Sequence, residues 1–436
     1  MTRISSLSGF FMLLGCAATA LGCSDDSGSG SSGAAGTANG GTGAGAGGSA
    51  SAGTAGLPGA VGGMNGGAAG SSGTSGGAGA GGSAGTSAGS GGAAGNAGAG
   101  GSGGSGGTGG APEPTADYQL YGRWDVTHPG KAITVNSGSH ITVSFSGTGI
   151  SAKFDTSANT GVAPTVSFRI DDGDLIEKEI APTLELAKGL AAAEHHVLLF
   201  VRGMSEFDSR WTPPLVSSTT FLGFDVAGGA LVPKPRPKLT KIEFLGDSIT
   251  EGVAVHDKGP DGQNTPNWRC DGARNYASLT AQKLGYEWRQ VGFGRQGLTV
   301  GGNGGVPKAQ ETFNFFYAGV ARDAWQADIV VINQGTNDRG TDGKTFAPLY
   351  NDFLGIVRAG YPDAKIVALR PLVGAFGTEI QAQVSARKAA GDNKIFFVDT
   401  DGWTVPSDFT DGVHPNQDGS VKISEKLAAA LQALPN

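Results

Sequence analysis

The chain has 436 residues, of which 78 are glycine and only three are cysteine, with a formal charge of −7 and no basic cluster. That balance excludes a nucleic-acid partner, because phosphate backbones are met by concentrated Lys and Arg. The glycine excess lies before residue 112, and from Ser27 to Gly110 no residue is charged or aromatic. Such a stretch has too little apolar surface to offset its ordering entropy and is expected to be disordered, which leaves about 320 residues, enough for two domains.

The N-terminus comes first. Arg3 supplies a positive flank, and Phe10, Phe11, Met12, Leu13 and Leu14 supply an apolar core, well short of the ~20 residues of a membrane span. Residues 1–22 therefore read as an export signal. Ala20-Leu21-Gly22-Cys23 resembles a bacterial lipobox, which implies cleavage before Cys23, lipidation of its thiol and attachment to a membrane. Leu is more usual where Ala20 stands, and a plain cleaved signal is the alternative. A competing Leu13-Leu14-Gly15-Cys16 leaves too short an apolar core. Residues 23–114 follow as a Gly, Ala, Ser and Thr tether. As a flexible coil of about 90 residues it spans roughly 50 Å. With Cys16 removed and Cys23 lipidated, Cys270 stands alone, so no disulfide is expected in the globular part.

Residues 115–232 read as all-β. Ile141, Val143 and Phe145 alternate with polar residues, as do Ile150, Ala152 and Phe154, and Val166, Phe168 and Ile170. His196–Val201 and Phe221–Val226 are further apolar runs. Turn residues separate these segments, which predicts a sandwich or barrel. Leu186–Ala193 reads as a short helix or a loop. Pro233, Pro235 and Pro237 make residues 233–238 a stiff connector.

Residues 239–436 alternate strand and helix. Strands are predicted at Lys241–Leu245, Glu287–Gly292, Asp328–Asn333, Lys365–Leu369 and Lys394–Asp399. The clearest helix carries Phe346, Leu349, Tyr350, Phe353, Leu354 and Val357 at helical spacing, which is core packing; the last runs from about Ser420 to Leu434. Five strands with helices between them predict a parallel, doubly wound α/β sheet.

In such sheets the active site lies past the carboxyl ends of the strands. The first strand leads into Gly246-Asp247-Ser248, where a Ser at a strand-to-helix turn suits a nucleophile. The second leads into Gly292-Phe293-Gly294-Arg295-Gln296-Gly297. This matches a dinucleotide fingerprint by spacing, but no acidic residue ends the next strand and a Gly-rich loop runs on to Gly305. It is read instead as a loop close to the substrate, with a Gly N–H free to donate. The third leads into Gly335-Thr336-Asn337-Asp338, where Asn337 can aim its amide into the same cleft. The fifth leads into Asp411-Gly412-Val413-His414-Pro415. Asp and His three apart can pair through one ring nitrogen while the other faces the Ser, the order that acyl transfer needs.

Together these blocks resemble the SGNH (GDSL) hydrolase superfamily over about Lys241–Asn436. The resemblance implies a flavodoxin-like three-layer domain with a five-stranded parallel sheet and a Ser248–His414–Asp411 triad. It also implies an oxyanion hole from the Ser248 N–H, the Gly297 N–H and the Asn337 side chain. Gly292 stands where many members carry Asn. With the β-region included, the chain is similar to carbohydrate esterase family 2, a jelly-roll sandwich joined to an SGNH domain. Tyr121-Gly122-Arg123-Trp124, Gly246–Gly252 and Gly301–Gly305 carry that likeness, although Glu251 stands where a Cys is common, and several members lack the acidic triad residue. The function implied is removal of O-acetyl groups from a plant polysaccharide such as xylan or glucomannan. The alternatives are a small-acyl esterase or lipase of the same superfamily, and a non-catalytic sugar-binding lipoprotein. Trp268 and Trp403 are candidates for stacking on sugar rings, whereas Trp325 is read as core and His256 as a solvated loop residue. No histidine has metal-ligand spacing, so neither metal nor cofactor is expected.

Overall fold

The computed structural model describes residues 115–262 and 265–435. The export signal, Cys16, Cys23 and the tether lie outside the described residues. Two layered regions follow one another, joined by an extended segment in which Lys234–Pro235 pairs antiparallel with Thr115–Ala116.

The first region is a bent antiparallel sandwich. Its main strands are β1 (Tyr118–Tyr121), β2 (Ala132–Thr134), β3 (His140–Phe154), β4 (Thr165–Ile170), β5 (Ile176–Glu179), β6 (Thr183–Gly203) and β7 (Thr219–Ala227). The two alternating runs 141–145 and 150–154 are one strand, not two. The Gly147–Gly149 stretch between them is a bulge where the register against β6 shifts, and such bulges bend a strand without ending it. The first half of β3 pairs with β1 and its second half with β7, so one strand serves both layers. Leu186–Ala193, expected as helix or loop, is strand within β6. Its alternation is weak because most of its side chains face solvent, and the pairing with β3 sets its conformation. Trp124, Ile141, Val143, Phe145, Phe168, Leu199 and Phe221 fill the core.

The second region holds five parallel strands: β8 (Lys241–Asp247), β9 (Glu287–Phe293), β10 (Ile329–Asn333), β11 (Lys365–Leu369) and β12 (Ile395–Val398). Their order in the sheet is β9-β8-β10-β11-β12. The two-residue period distributes side chains to both faces. Phe244, Val331, Val367 and Leu369 pack with α2 (Tyr276–Leu284, after the short α1, Ser248–Glu251) and with the last helix, Gln417–Gln432. Leu245, Val330, Ile332, Ile366 and Ala368 pack against helices Gly343–Gly360 and Gly377–Ala389. None of the described helices is long and apolar enough to cross a membrane.

Buried arginines tie the two regions together. Arg123 of the Tyr-Gly-Arg-Trp run grips Glu243 of β8 through Nε (3.0 Å) and Nη2 (3.2 Å) and also donates to the Phe313 carbonyl. Arg202 lies 3.5 Å from Asp271 and donates to the Trp268 carbonyl. His140 is stacked between Tyr121 and Trp288, and burial pulls its imidazole down to about 4. The sandwich is therefore a wall of the catalytic region, held by desolvated charges whose loss would be costly.

Candidate active site

Ser248 opens α1 directly after β8. Asp247 caps that turn, its Oδ1 accepting the Ile249 N–H at 3.0 Å. Burial pushes the Asp247 carboxyl up to about 6, opposed by that N–H and by nearby Thr336 and His414. The turn presses on β9 at Gly292, where a Cβ would lie 2.5 Å from the Asp247 carbonyl oxygen and nearer still to the Glu251 nitrogen. The side chain that many members of the superfamily carry at that position has no room here.

The second departure, Glu251, also has a physical reason. Its carboxylate is buried and forms a two-pronged pair with Arg210 of the sandwich, with Nη2 to Oε2 at 2.9 Å. A buried carboxylate at this position requires that guanidinium. Arg210 in turn lies over the Phe293 ring at 5.0 Å.

His414 sits in the loop after β12. Asp411 Oδ1 accepts the backbone N–H groups of Val413 (3.1 Å) and His414 (2.9 Å), and Oδ2 lies 2.8 Å from His414 Nδ1. His414 Nε2 lies 2.8 Å from Ser248 Oγ. With the ring proton on Nδ1, Nε2 is the acceptor for the Ser hydroxyl, which is the base–nucleophile geometry. Burial raises the Asp411 carboxyl, but the His414 N–H, the His414 ring and the Val413 N–H outweigh it and hold the group below its ordinary value. The Asp411 side chain is nonetheless 41% exposed.

The loops after β9 and β10 meet beside this chain of contacts. Asn337 Nδ2 donates to the Gln296 carbonyl at 3.0 Å, which commits one of its two N–H groups and leaves the other for a ligand. Asp338, to which the sequence assigned no role, is buried and organises the loop. It accepts N–H bonds from Leu298 (3.0 Å) and Thr299 (2.7 Å) and the Thr299 hydroxyl (2.6 Å). Gly297 differs from expectation. Its N–H is not free but donates to the Val300 carbonyl at 3.0 Å, because the chain reverses there to bring Leu298 and Thr299 onto Asp338.

The two tryptophan expectations fare differently: Trp268 is buried, whereas Trp403 stays partly exposed and keeps its candidacy. Trp268 is 6% exposed, donates to Glu179 and carries the Arg202 guanidinium 5.6 Å from its ring centroid. It is interface packing, with no face open to a sugar. Trp403 packs against the apolar layer around Phe244 and Ile423. Trp325 is core as expected, with Arg289 over its ring. His256 is not a solvated loop residue; its Nε2 lies 2.9 Å from the buried carboxylate of Asp271. Cys270, the only described cysteine, is buried with its thiol pushed up by burial and the charges of Glu251 and Glu206. No group of His, Cys, Asp or Glu able to hold a metal occurs among the described residues.

Sequence reasoning missed the sandwich side of the site altogether. A small cavity of about 160 Å³ is lined by Asp411 and His414 and also by Glu206 and Phe207, which follow β6. Glu206 is half-buried, and burial and the Glu251 charge raise its carboxyl. An Asp-His-Ser chain beside a small cavity, with the Asn337 amide in the adjoining loop, is the machinery of a carboxylic ester hydrolase.

Comparison with known proteins agrees. Residues 244–421 match the GDSL-like lipase/acylhydrolase family, and residues 120–235 match the carbohydrate esterase 2 N-terminal family. The chain thus carries a GDSL-like acylhydrolase domain preceded by a carbohydrate esterase 2 N-terminal domain. It is 27% identical over 329 residues to the cellulase/esterase CelE of Acetivibrio thermocellus, covering 71% of this chain and 39% of CelE. The chain thus spans about two fifths of that relative. It is 26% identical over 267 residues to the acetylxylan esterase / glucomannan deacetylase of Cellvibrio japonicus, covering 58% of this chain and 70% of that protein. A family two carbohydrate esterase from Clostridium thermocellum, solved in complex with cellohexaose, superposes with a TM-score of 0.61 at 27% identity. That match covers 72% of this chain and 98% of the other.

Proposed function

We propose that this chain is a serine esterase that removes O-acetyl groups from a plant cell-wall polysaccharide such as xylan or glucomannan. The observation that carries the reading is the continuous contact from Asp411 through His414 to Ser248, with both links at 2.8 Å. Ser248 Oγ attacks the acetyl carbonyl carbon while His414 Nε2 takes its proton. The oxyanion is met by the Ser248 N–H and the uncommitted N–H of Asn337. His414 then returns the proton to the departing sugar oxygen, which leaves acetyl-Ser248. A water then gives one proton to His414 as its oxygen attacks the acetyl carbon; the tetrahedral intermediate collapses, the bond to Ser248 Oγ breaks, and His414 returns the proton to that oxygen, which frees Ser248 and releases acetic acid that ionises to acetate. Asp411 holds the ring tautomer throughout. The relatives named above are an acetylxylan esterase / glucomannan deacetylase and an esterase that binds a cello-oligosaccharide. Acetate release from a panel of acetylated polysaccharides tests the reading. Hydrolysis of longer-chain acyl esters with no acetate released from any polysaccharide would replace it with a general small-acyl esterase.

The same proposal places the enzyme outside the cytoplasm, exported by residues 1–22 and held at a membrane through a lipid on Cys23, with residues 23–114 as tether. Cys23→Ser should move the protein from the membrane fraction to the soluble one with its esterase activity unchanged. A Ser variant that still pellets with membranes removes the anchor.

A further inference from the structure

Most of the cavity at His414 is walled by the catalytic region, but two of its residues come from the sandwich. Phe207 is 65% exposed, among the most exposed large apolar side chains described. A single exposed apolar residue needs no explanation on its own. This one shares a cavity with His414 and Asp411, and its neighbour is a carboxylate that faces the same space. Glu206 is fixed from behind. Asn303 Nδ2 donates to its Oε2 at 2.9 Å, and that oxygen sits so close over Gly294 that a Cβ there would collide with it. The Gly301–Gly305 run is thereby accounted for: it brings Asn303 up to Glu206, and the Gly304 carbonyl accepts the Arg210 N–H at 3.2 Å. The other oxygen, Glu206 Oε1, has no hydrogen-bond partner among the described residues. A flat apolar ring beside an oriented acceptor matches the two faces of a pyranose, whose C–H face packs on aromatics and whose hydroxyls donate.

We propose that Glu206 and Phe207 form the sugar subsite of this enzyme. The Phe207 ring carries the sugar whose acetyl group is cleaved, and the Glu206 carboxyl accepts one of that sugar's hydroxyls. The inference rests on the carbohydrate reading above and adds that the sandwich, through these two residues, sets the preference for a sugar alcohol as leaving group.

The test measures kcat/KM on acetylated xylo-oligosaccharides and on vinyl acetate, an ester without a ring. The ratio of the two is taken for wild type, Phe207→Ala, Phe207→Tyr and Glu206→Gln. Losing contact with about 50 Å² of ring corresponds to about tenfold, so Phe207→Ala should lower the ratio about tenfold, mainly through KM on the oligosaccharide. Phe207→Tyr should keep the ratio within about threefold of wild type. Glu206→Gln should lower it as well, since a site built to bind a hydroxyl loses much when its acceptor is altered. Melting temperatures of the same preparations separate binding from folding. Ratios within twofold of wild type for both Phe207→Ala and Glu206→Gln overturn the subsite while leaving the deacetylase reading standing. A wild type that cleaves vinyl acetate but releases no acetate from the oligosaccharides overturns the carbohydrate reading and the subsite with it.

Discussion

The two walls of the site are built by different rules. On the catalytic side, Ser248 lies just past a strand and the Asp411–His414 pair in a loop farther on, both held by caps a few residues away. Asp247 accepts the Ile249 N–H, Asp411 accepts two N–H groups of its own loop, and Asn416 caps the last helix by accepting the Gly419 N–H at 2.9 Å. On the sandwich side, Glu206 is held by Asn303 and Gly294 and Arg210 by Glu251, all distant in sequence. On the proposed reading, the triad is positioned by local backbone geometry and the leaving-group side by long-range polar contacts. Chemistry and leaving-group preference can then change independently.

That separation can be broken experimentally from either side. Ser248→Ala should lower kcat by about 10⁴–10⁶ with little change in stability, because the hydroxyl's one side-chain contact is with His414. His414→Ala should be equally damaging. Turnover of vinyl acetate and the melting temperature of the same sample decide it; more than a tenth of wild-type activity would remove Ser248 as nucleophile. Arg210→Ala should do the reverse. Leaving Glu251 buried and unpaired costs about 3–5 kcal/mol, so unfolding in urea should shift strongly, and replacing Glu251 by Leu in the same protein should recover much of the loss. An unchanged urea midpoint would mean that the pair does not hold the sandwich wall in place.

The same division decides what could be read from the sequence. The five parallel strands were legible because short apolar runs such as Ile329-Val330-Val331-Ile332 are bounded by turn residues and alternate with helical segments. Ser248, Asn337 and His414 were legible because each stands in a chain-local motif in a loop that follows a strand. The weakly alternating strand at Leu186–Ala193 was not, since its side chains are mostly solvated and its conformation comes from pairing with β3. Trp268 was misjudged because a Gly/Pro/Asn-rich loop looks exposed until the sandwich covers it. Glu206 and Arg210 gave no signal, as their partners are distant and no local pattern marks them. One clue existed: Glu251 stands where a Cys is common, and a charge beside a buried turn calls for a counter-charge elsewhere in the chain.

Asn337→Ala falls between these extremes because the residue touches both kinds of structure. If its uncommitted N–H meets the oxyanion, kcat should fall about 10²–10³ with little change in KM. Its other N–H bonds the Gln296 carbonyl, so stability should fall by about 1 kcal/mol as well. Normal kcat in a protein with a lowered melting point would reduce Asn337 to a loop tie.

The smallest effect concerns Asp247, where the local wall carries a cost of its own. Its carboxyl is raised from 3.8 to about 6 by burial. The folded protein therefore binds this proton more tightly than the unfolded chain. The group favours folding fully below about pH 4, and that contribution is lost as pH rises through about 6. At neutral pH the charged carboxylate is a net burden of up to about 3 kcal/mol, tolerated because the turn it caps presents Ser248. Asp247→Asn retains an oxygen for the Ile249 N–H but cannot ionise. Relative to wild type it should gain stability steadily from pH 4 to pH 7 and no further above pH 8. A melting-temperature difference between the two proteins that stays flat over pH 4–8 would mean Asp247 titrates at its ordinary value, and the burial that raises it would then have to be relieved by solvent reaching the turn.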